Sequence, residues 1–318
     1  MRRALIAVWS VVVLATIAVV AVFATRSSPR AAPLSFAPPI RAVLADVVVQ
    51  PSLPRHPWVP PPRCPAEPAL ELPNTEIPSD KDLTRIFREA PNRLGSASIG
   101  TPTNGALYNG VPIVSGEGIA SAGDSPFGTA AVVASIKRAV REVRRCHAGT
   151  SKLSVGDISS QQGGPLRPHK SHQSGLDADI GYYYRTGSAW FVPATPENLD
   201  VERTWTLLRA FVEGGNVEIV FMDRSIQKLL VAYVDTLPYD RDKVEALFQN
   251  EKNELAVIRH AEGHATHFHV RFQDPGAVLL GARIKDLVKH AKSSGPTKGR
   301  GSKPAPSRPA YPRVVGPH

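Results

Sequence analysis

The sequence predicts an α+β fold, in which helices and long loops flank a small central antiparallel or mixed β-sheet. Helical and strand patterns are interleaved along the chain. The sequence has no internal repeat and no glycine-rich phosphate-binding loop. Together these observations favour a sheet with helices packed on it.

An apolar segment opens the chain. Residues 4–24 are 21 consecutive uncharged, mostly apolar residues behind Arg2 and Arg3, long enough to cross a bilayer. The arginines favour a cytoplasmic amino end, so the remainder of the chain is expected to be exported. Because the run exceeds a usual signal-peptide core, residues 1–25 are predicted to form an uncleaved membrane anchor, with a cleaved signal segment as the alternative. A buried core helix fits poorly, because the run is apolar on every side.

Two segments flank the region that can fold. Residues 26–65 are rich in proline and have no sustained helical or strand period, so they are predicted to form an extended linker. Residues 292–318 carry six basic residues and no acidic one among glycine, serine and proline, which is typical of a disordered basic tail. The folded domain is therefore expected to span residues 66–291.

The net positive charge of the chain comes largely from that tail. The formal net charge is +10, and +4 remains when the six basic residues of the tail are set aside. A core that binds nucleic acid is therefore not indicated. In an exported protein the tail is predicted either to contact anionic envelope polymers or lipid head groups, or to be solvated without a partner.

The chain has two cysteines, Cys64 and Cys146. They do not form a C-x-x-C pair, which excludes a zinc cluster of thiolates. In an oxidising compartment they could form one disulfide between the end of the linker and the helix near residue 146, or they could stay reduced.

Local patterns predict the order of elements within the domain. Residues 79–88 and 129–146 have helical periodicity, and the second run places Val132, Ile136 and Val140 on one face. The segment between them is dense in glycine, asparagine and proline, which predicts loops and short strands. The remaining predicted elements are a helix at residues 204–213, a strand at 216–222, and helices at 225–235 and 242–250.

Histidines and aspartates are concentrated in two short segments. Asp177 and Asp179 alternate with apolar residues in the first segment, and His267, His269 and Arg271 do so in the second. Each segment is therefore a predicted strand with one polar and one apolar face, and antiparallel pairing would bring an aspartate beside the histidine pair. Six of the ten histidines lie in or beside these strands: His169, His172, His260, His264, His267 and His269.

This set of side chains predicts a metal site. Zinc is bound by imidazole nitrogen and carboxylate oxygen in a tetrahedral arrangement. A structural zinc site usually contains cysteine, and these segments contain none, which favours an open site with water in the fourth position. The alternative, a polar surface that binds nothing, explains each segment alone but not the clustering of both.

The two segments also resemble a known family. Gly163-Gly164-Pro165-Leu166 followed by HKSHQSGLDADI, and then GHATHFHVRF, are similar to the penicillin-insensitive murein endopeptidases, relatives of the lysostaphin and D-alanyl-D-alanine dipeptidase zinc peptidases. Residues 98–111, SIGTPTNGALYNGV, resemble the amino-terminal region of that family. The resemblance covers about residues 85–275.

The resemblance implies roles for individual residues. The family positions that match His172, Asp179 and His269 bind zinc. The position that matches His267 lies beside the metal as a general base or a stabiliser of the transition state. His264 and His169 match further active-site histidines, which contact the oxyanion, orient the ligands or help to hold a second metal ion.

Two further expectations concern the surroundings of the zinc ion. Some family members complete a second metal site with an aspartate and a histidine between the two motifs, whereas this chain has no histidine between His172 and His260, so one zinc ion is expected. Asp177 and Arg271 are predicted to support the ligands or to bind a substrate carboxylate, with a structural salt bridge as the alternative for Arg271.

The implied activity is hydrolysis of the D-alanyl to meso-diaminopimelyl cross-links of peptidoglycan by a metal-activated water. Peptidoglycan is thus the expected substrate, the periplasm the expected location, and the amino-terminal segment the expected contact with the membrane. Two alternatives share the fold. A zinc D,D-carboxypeptidase or dipeptidase acting on soluble muropeptides would keep every ligand, whereas an inactive wall-binding module would have lost one.

Overall fold

A computed structural model of the chain describes Cys64 and residues 77–293. The chain divides into two units, Met1–Pro51 and Ser52–His318, and every described residue lies in the second. The predicted anchor at residues 1–25, the linker up to residue 63 and the tail beyond residue 293 lie outside the described residues, so these assignments stay predictions. Within the described part, no helix combines the length and the apolar character needed to cross a membrane.

The centre of the fold is a mixed sheet of six strands, which confirms the predicted α+β class. Its order is β4-β6-β7-β10-β8-β9; the β4–β6 and β8–β9 pairs are parallel and the other neighbours are antiparallel. Two small antiparallel sheets, β1–β2 and β3–β5, lie outside it. The ten strands are β1 Ala97–Thr101, β2 Asn104–Tyr108, β3 Val111–Pro112, β4 Ile119–Ser121, β5 Phe127–Gly128, β6 Leu153–Val155, β7 Asp177–Gly181, β8 Val217–Met222, β9 Ile258–His260 and β10 His267–Phe272.

The described residues form six helices and one 3-10 turn at Pro91–Arg93. Most of the predicted helices are confirmed to within a few residues. The predicted helix at residues 242–250 is wrong in length: it ends at Glu245, because the backbone beyond it hydrogen bonds to Ile258 instead. The helices are α1 Asp80–Glu89, α2 Ala130–Cys146, α3 Val201–Glu213, α4 Arg224–Val234, α5 Arg241–Glu245 and α6 Pro275–Ser293.

Helix α6 was not predicted from the sequence. It continues through Ser293, two residues into the segment that is predicted as the tail. The helix packs on β1, where a Cβ on Gly281 would collide with the backbone of Ser98. Together with α1 and β1 it forms a small second core, which contains Leu83, Leu94, Ala97, Ile99, Leu280 and Ile284.

Helices α2 and α3 pack against each other, and both contribute residues to the large core. Thr129 caps α2 by accepting a hydrogen bond from the backbone N–H of Val132. A buried ionic cluster lies between the two helices, in which Oε1 of Glu142 accepts a hydrogen bond of 3.0 Å from Arg209. At the end of α2, Cys146 forms a disulfide with Cys64, as one of the two sequence interpretations expected.

Candidate metal centre

Strands β7 and β10 place the aspartates and histidines side by side. The strands pair antiparallel, with His269 opposite Asp179 and Arg271 opposite Asp177, which confirms the predicted pairing. Side chains of directly opposed residues project from the same face of a sheet. The polar residues that alternate along each strand therefore lie together on one face of the sheet, where Asp177 and Asp179 of β7 adjoin His269 and Arg271 of β10.

His172 reaches this row from the loop before β7. Its backbone has a φ of +67°, which is uncommon for a residue other than glycine, and its N–H donates to Oδ2 of Asp177 at 3.2 Å. Nδ1 lies 3.0 Å from the carbonyl oxygen of Ile158. Because a carbonyl can only accept, Nδ1 carries the proton and Nε2 presents its lone pair to the centre.

Three potential metal-binding atoms converge at this point. Nε2 of His172 lies 3.1 Å from Nδ1 of His269 and 3.3 Å from Oδ1 of Asp179, and the last two atoms are 3.0 Å apart. Ligand atoms of a tetrahedral zinc ion are separated by roughly 3.3 Å, since each lies about 2.0–2.1 Å from the metal. Two nitrogens and one oxygen at this spacing fit a single small cation.

A second, overlapping set includes His169. One atom each from His169, His172 and Asp179 lies within 4.8 Å of the others, which is also compatible with a metal ion. However, Nδ1 of His169 is 3.7 Å from Asp179. Nδ1 of His269 lies closer to Asp179, at 3.0 Å, and His269 projects from a strand rather than a loop, so we favour the set that contains His269.

Electrostatics favour a cation at the centre. Burial alone would raise the pKa of Asp179, but the adjacent imidazoles of His172 and His269 hold it well below its usual value. Burial lowers the pKa of His269, while its bonds to Asp177 and Asp179 outweigh that effect and raise it to about 9. A metal ion would have to replace the proton on His269, because a ligating imidazole is neutral.

Asp177 lies behind His269 and fixes it in place. Its Oδ1 is 3.4 Å from Nε2 of His269 and accepts a 2.8 Å hydrogen bond from Arg271, whose second donor reaches Oδ2 at 3.1 Å. Arg271 therefore forms a bidentate salt bridge, which is the structural alternative that the sequence left open. A carboxylate behind a ligating histidine orients the ring and raises its basicity.

His267 and His264 line the open side of the centre. Nε2 of His267 is 3.8 Å from Oδ1 of Asp179, and Nδ1 is 2.9 Å from Oγ1 of Thr266. Burial lowers the pKa of His267 to about 4. The ring of His264 lies 5.1 Å from that of His267, and burial also lowers its pKa. Both imidazoles are thus neutral at pH 7 without a metal.

His260, the sixth clustered histidine, has a different role. Its Nδ1 accepts a hydrogen bond of 3.1 Å from the backbone N–H of Arg224, at the first turn of α4. It belongs to the end of β9 and caps a helix, so we do not assign it to the centre.

Sequence reasoning missed three residues at the centre. Oδ2 of Asp157 lies 3.3 Å from Nε2 of His169, and the backbone oxygen of Asp157 accepts a hydrogen bond from the N–H of Asp179. The ring of Phe191 stacks on His267 at 5.4 Å, and Trp190 lies 6.0 Å away. Phe191 is 62% exposed at a φ of +61°. Neither aromatic residue belongs to a local pattern that could have revealed it.

The sequence profile described as penicillin-insensitive murein endopeptidase matches residues 98–279, more than half of the chain. The chain belongs to the penicillin-insensitive murein endopeptidase family. A relative from Haemophilus influenzae with the same description is 28% identical over 223 residues, which cover 63% of this chain and 71% of the relative. The family match confirms the resemblance seen in the sequence and contains every residue of the centre.

Because it belongs to the endopeptidase family, the chain is a peptidase. The matched region begins in β1 and ends in α6, so it covers the large core and the six-stranded sheet, but only Ile99 of the second core. The converging histidines and aspartate lie at the middle of this sheet, on its two most central strands and an adjoining loop.

Proposed function

We propose that the chain is a zinc-dependent murein endopeptidase that hydrolyses the D-alanyl to meso-diaminopimelyl cross-links of peptidoglycan. In this proposal His172, Asp179 and His269 bind one zinc ion. The observation that carries it is the convergence of their three ligand atoms, at 3.0–3.3 Å from one another, in a member of a murein endopeptidase family. The choice of zinc rests on the two imidazoles and one carboxylate, without a thiolate.

A zinc ion held there would polarise the scissile carbonyl and lower the pKa of a water molecule. The surrounding residues would transfer the proton, stabilise the oxyanion and orient the ligands. Neutral His267 can accept a proton at Nε2 when Nδ1 donates to Thr266, and Nε2 faces the centre. His264, beside His267, and the partly exposed His169, beside Asp157, would each donate a hydrogen bond to a developing oxyanion. Asp177 would keep His269 oriented throughout.

The proposal extends to location and domain organisation. Peptidoglycan lies outside the cytoplasmic membrane, so we propose that the catalytic domain works in the periplasm after export. The predicted anchor at residues 1–25 and linker at residues 26–65 would tether the domain and let it reach the wall. Residues 292–318 would supply a basic contact to anionic envelope components.

Metal analysis tests the ligand set. The purified chain is expected to hold one zinc ion, and His172→Ala to lose both the zinc and the hydrolysis of peptidoglycan. His290→Ala is a matched control, because His290 is an exposed histidine of α6 outside the centre. A wild-type protein without stoichiometric zinc, or a His172→Ala variant with unchanged metal content, would refute the proposed site.

Product analysis tests the reaction. Purified peptidoglycan and isolated cross-linked muropeptide dimers would be incubated with the chain, with and without a chelator. The expected products are monomeric muropeptides, formed only without the chelator. Release of terminal D-alanine from monomers, with no loss of dimers, would instead identify a carboxypeptidase.

A further inference from the structure

A surface groove is formed by the end of α1, the 3-10 turn after it, β2, the loop before His169 and α6. Its volume is about 620 Å³, within the range of sites that bind small molecules. Its lining side chains are uncharged. Leu107 and Val288 are aliphatic, and the others are aromatic or amide: Phe87, Asn92, Tyr108, Asn109, Gln161 and Gln162.

The aromatic part of the groove is a stacked pair. The rings of Phe87 and Tyr108 lie 5.5 Å apart at an interplanar angle of 26°, and both are half-buried. Burial raises the pKa of Tyr108, so the phenol stays neutral and keeps its hydroxyl proton. The pair therefore offers an apolar surface with one hydroxyl group at its margin.

The amide part of the groove has free hydrogen-bonding capacity. Asn109 uses Nδ2 to donate to the carbonyl oxygens of Pro91 and Leu94, both at 2.8 Å, and its Oδ1 has no partner among the described residues. The side chains of Gln161 and Gln162 are exposed and likewise have no partner within that part of the chain. Amides can both donate and accept, which suits a ligand with hydroxyl and acetamido groups.

The groove adjoins the proposed metal centre through one loop, residues 157–173. The carbonyl oxygen of Ile158 binds Nδ1 of His172, whereas the carbonyl oxygen of Gln162 binds the N–H of Leu107 in β2. A Cβ on Gly163 would collide with the backbone of β2, so the loop lies directly against that strand. The same loop thus positions a metal ligand and forms a wall of the groove.

We propose that this groove binds an N-acetylated amino sugar of the glycan strand to which the cleaved peptide is attached. The inference rests on the proposed function, because only a murein substrate brings sugar and peptide to neighbouring sites. Aromatic rings pack against the apolar face of a sugar, and amides bind its hydroxyl and acetamido groups.

Other surface cavities among the described residues have a different chemistry. One is lined by Arg141, Arg144 and Arg145, and another includes Arg224, Lys228 and several acidic residues. The groove at Tyr108 has no charged lining side chain, which favours a neutral polar ligand over an anion or a charged peptide.

Binding of a sugar without peptide tests the inference directly. Tetra-N-acetylchitotetraose, which has no peptide bond for the enzyme to cleave, would be titrated into the full metal-loaded chain by calorimetry. The double variant Gln161→Ala/Gln162→Ala is expected to bind about tenfold more weakly than wild type, since two amide contacts are lost. Both side chains are exposed, so the fold should be retained, as a circular-dichroism melting curve would verify.

Two comparisons complete the experiment. Gln273→Ala removes an exposed amide outside the groove and should bind the tetrasaccharide like wild type. Cellotetraose, which lacks acetamido groups, should bind more weakly than the N-acetylated sugar. Absence of tetrasaccharide binding, or equal binding by the double variant, would overturn the inference even if dimers are hydrolysed. If the wild-type chain binds the tetrasaccharide but does not hydrolyse dimers, the proposed function would be refuted and the sugar-binding site would stand.

Discussion

The carboxylate of Asp177 binds Arg271 through two hydrogen bonds, of 2.8 and 3.1 Å, and lies 3.4 Å from Nε2 of His269. The guanidinium fixes both oxygens of a carboxylate that is fully buried. One oxygen then faces the imidazole, and the other accepts the backbone N–H of His172. A single side chain thus orients two of the three proposed zinc ligands.

Replacement of Asp177 is therefore expected to weaken metal binding without removing a ligand. Asp177→Asn should lower zinc affinity about 10–100-fold, the usual effect of losing a carboxylate behind a ligating histidine. Competition with a chromophoric chelator would measure it. Asp124→Asn, at an exposed aspartate, is the control and should leave affinity unchanged. Equal affinity in both variants would mean that Asp177 only stabilises the fold.

The two overlapping ligand sets can be separated by mutation. If His172, Asp179 and His269 bind the metal, His269→Ala should lose bound zinc, while His169→Ala should retain it and lose activity. His169 would then act on the substrate, oriented by Asp157 at 3.3 Å. Zinc content by mass spectrometry distinguishes the cases. Loss of zinc from His169→Ala with retention in His269→Ala would transfer the ligand role to His169.

Phe191 is expected to contact substrate at the open side of the centre. The ring is exposed and stacks on His267, and its backbone lies in the left-handed region that favours glycine. Phe191→Ala should raise KM for dimers roughly threefold to tenfold through lost apolar contact, with kcat and thermal stability nearly unchanged. Leu255→Ala, at another exposed apolar residue, should change neither constant. A fall in kcat alone would argue for an effect on His267 instead.

Glu213 should make stability depend on pH. Burial raises its pKa to about 7, although Arg209 opposes the shift. The folded state then holds a proton that the unfolded chain has released, so this contribution to stability is present at low pH and is lost as pH rises through about 7. Between about pH 5 and pH 8, Glu213→Gln should gain roughly 2 kcal/mol relative to wild type in the free energy of unfolding.

Urea denaturation at several pH values would measure this difference. Glu254→Gln, at an exposed glutamate, serves as the control and should follow the wild-type curve. If the free energy of unfolding of Glu213→Gln changes with pH in parallel with that of wild type between about pH 5 and pH 8, Glu213 does not titrate near neutrality in the folded protein.

The sequence by itself determined the local elements and the chemistry of the centre. Apolar spacing located α2, and strict alternation located β7 and β10 with their polar and apolar faces. These signals are local, because a helix or strand that buries one face repeats that face at a fixed period. The side-chain types of His172, Asp179 and His269 were equally visible.

Only the tertiary structure decided which atoms meet. The register that sets His269 opposite Asp179, the carbonyl of Ile158 that orients His172, and the approach of Asp157 and Phe191 all join residues far apart in the sequence. Helix α6 was missed for a related reason, since its stability comes from packing on β1 rather than from a strong pattern of its own. Contacts between distant segments depend on how the whole core packs, and no local period encodes them.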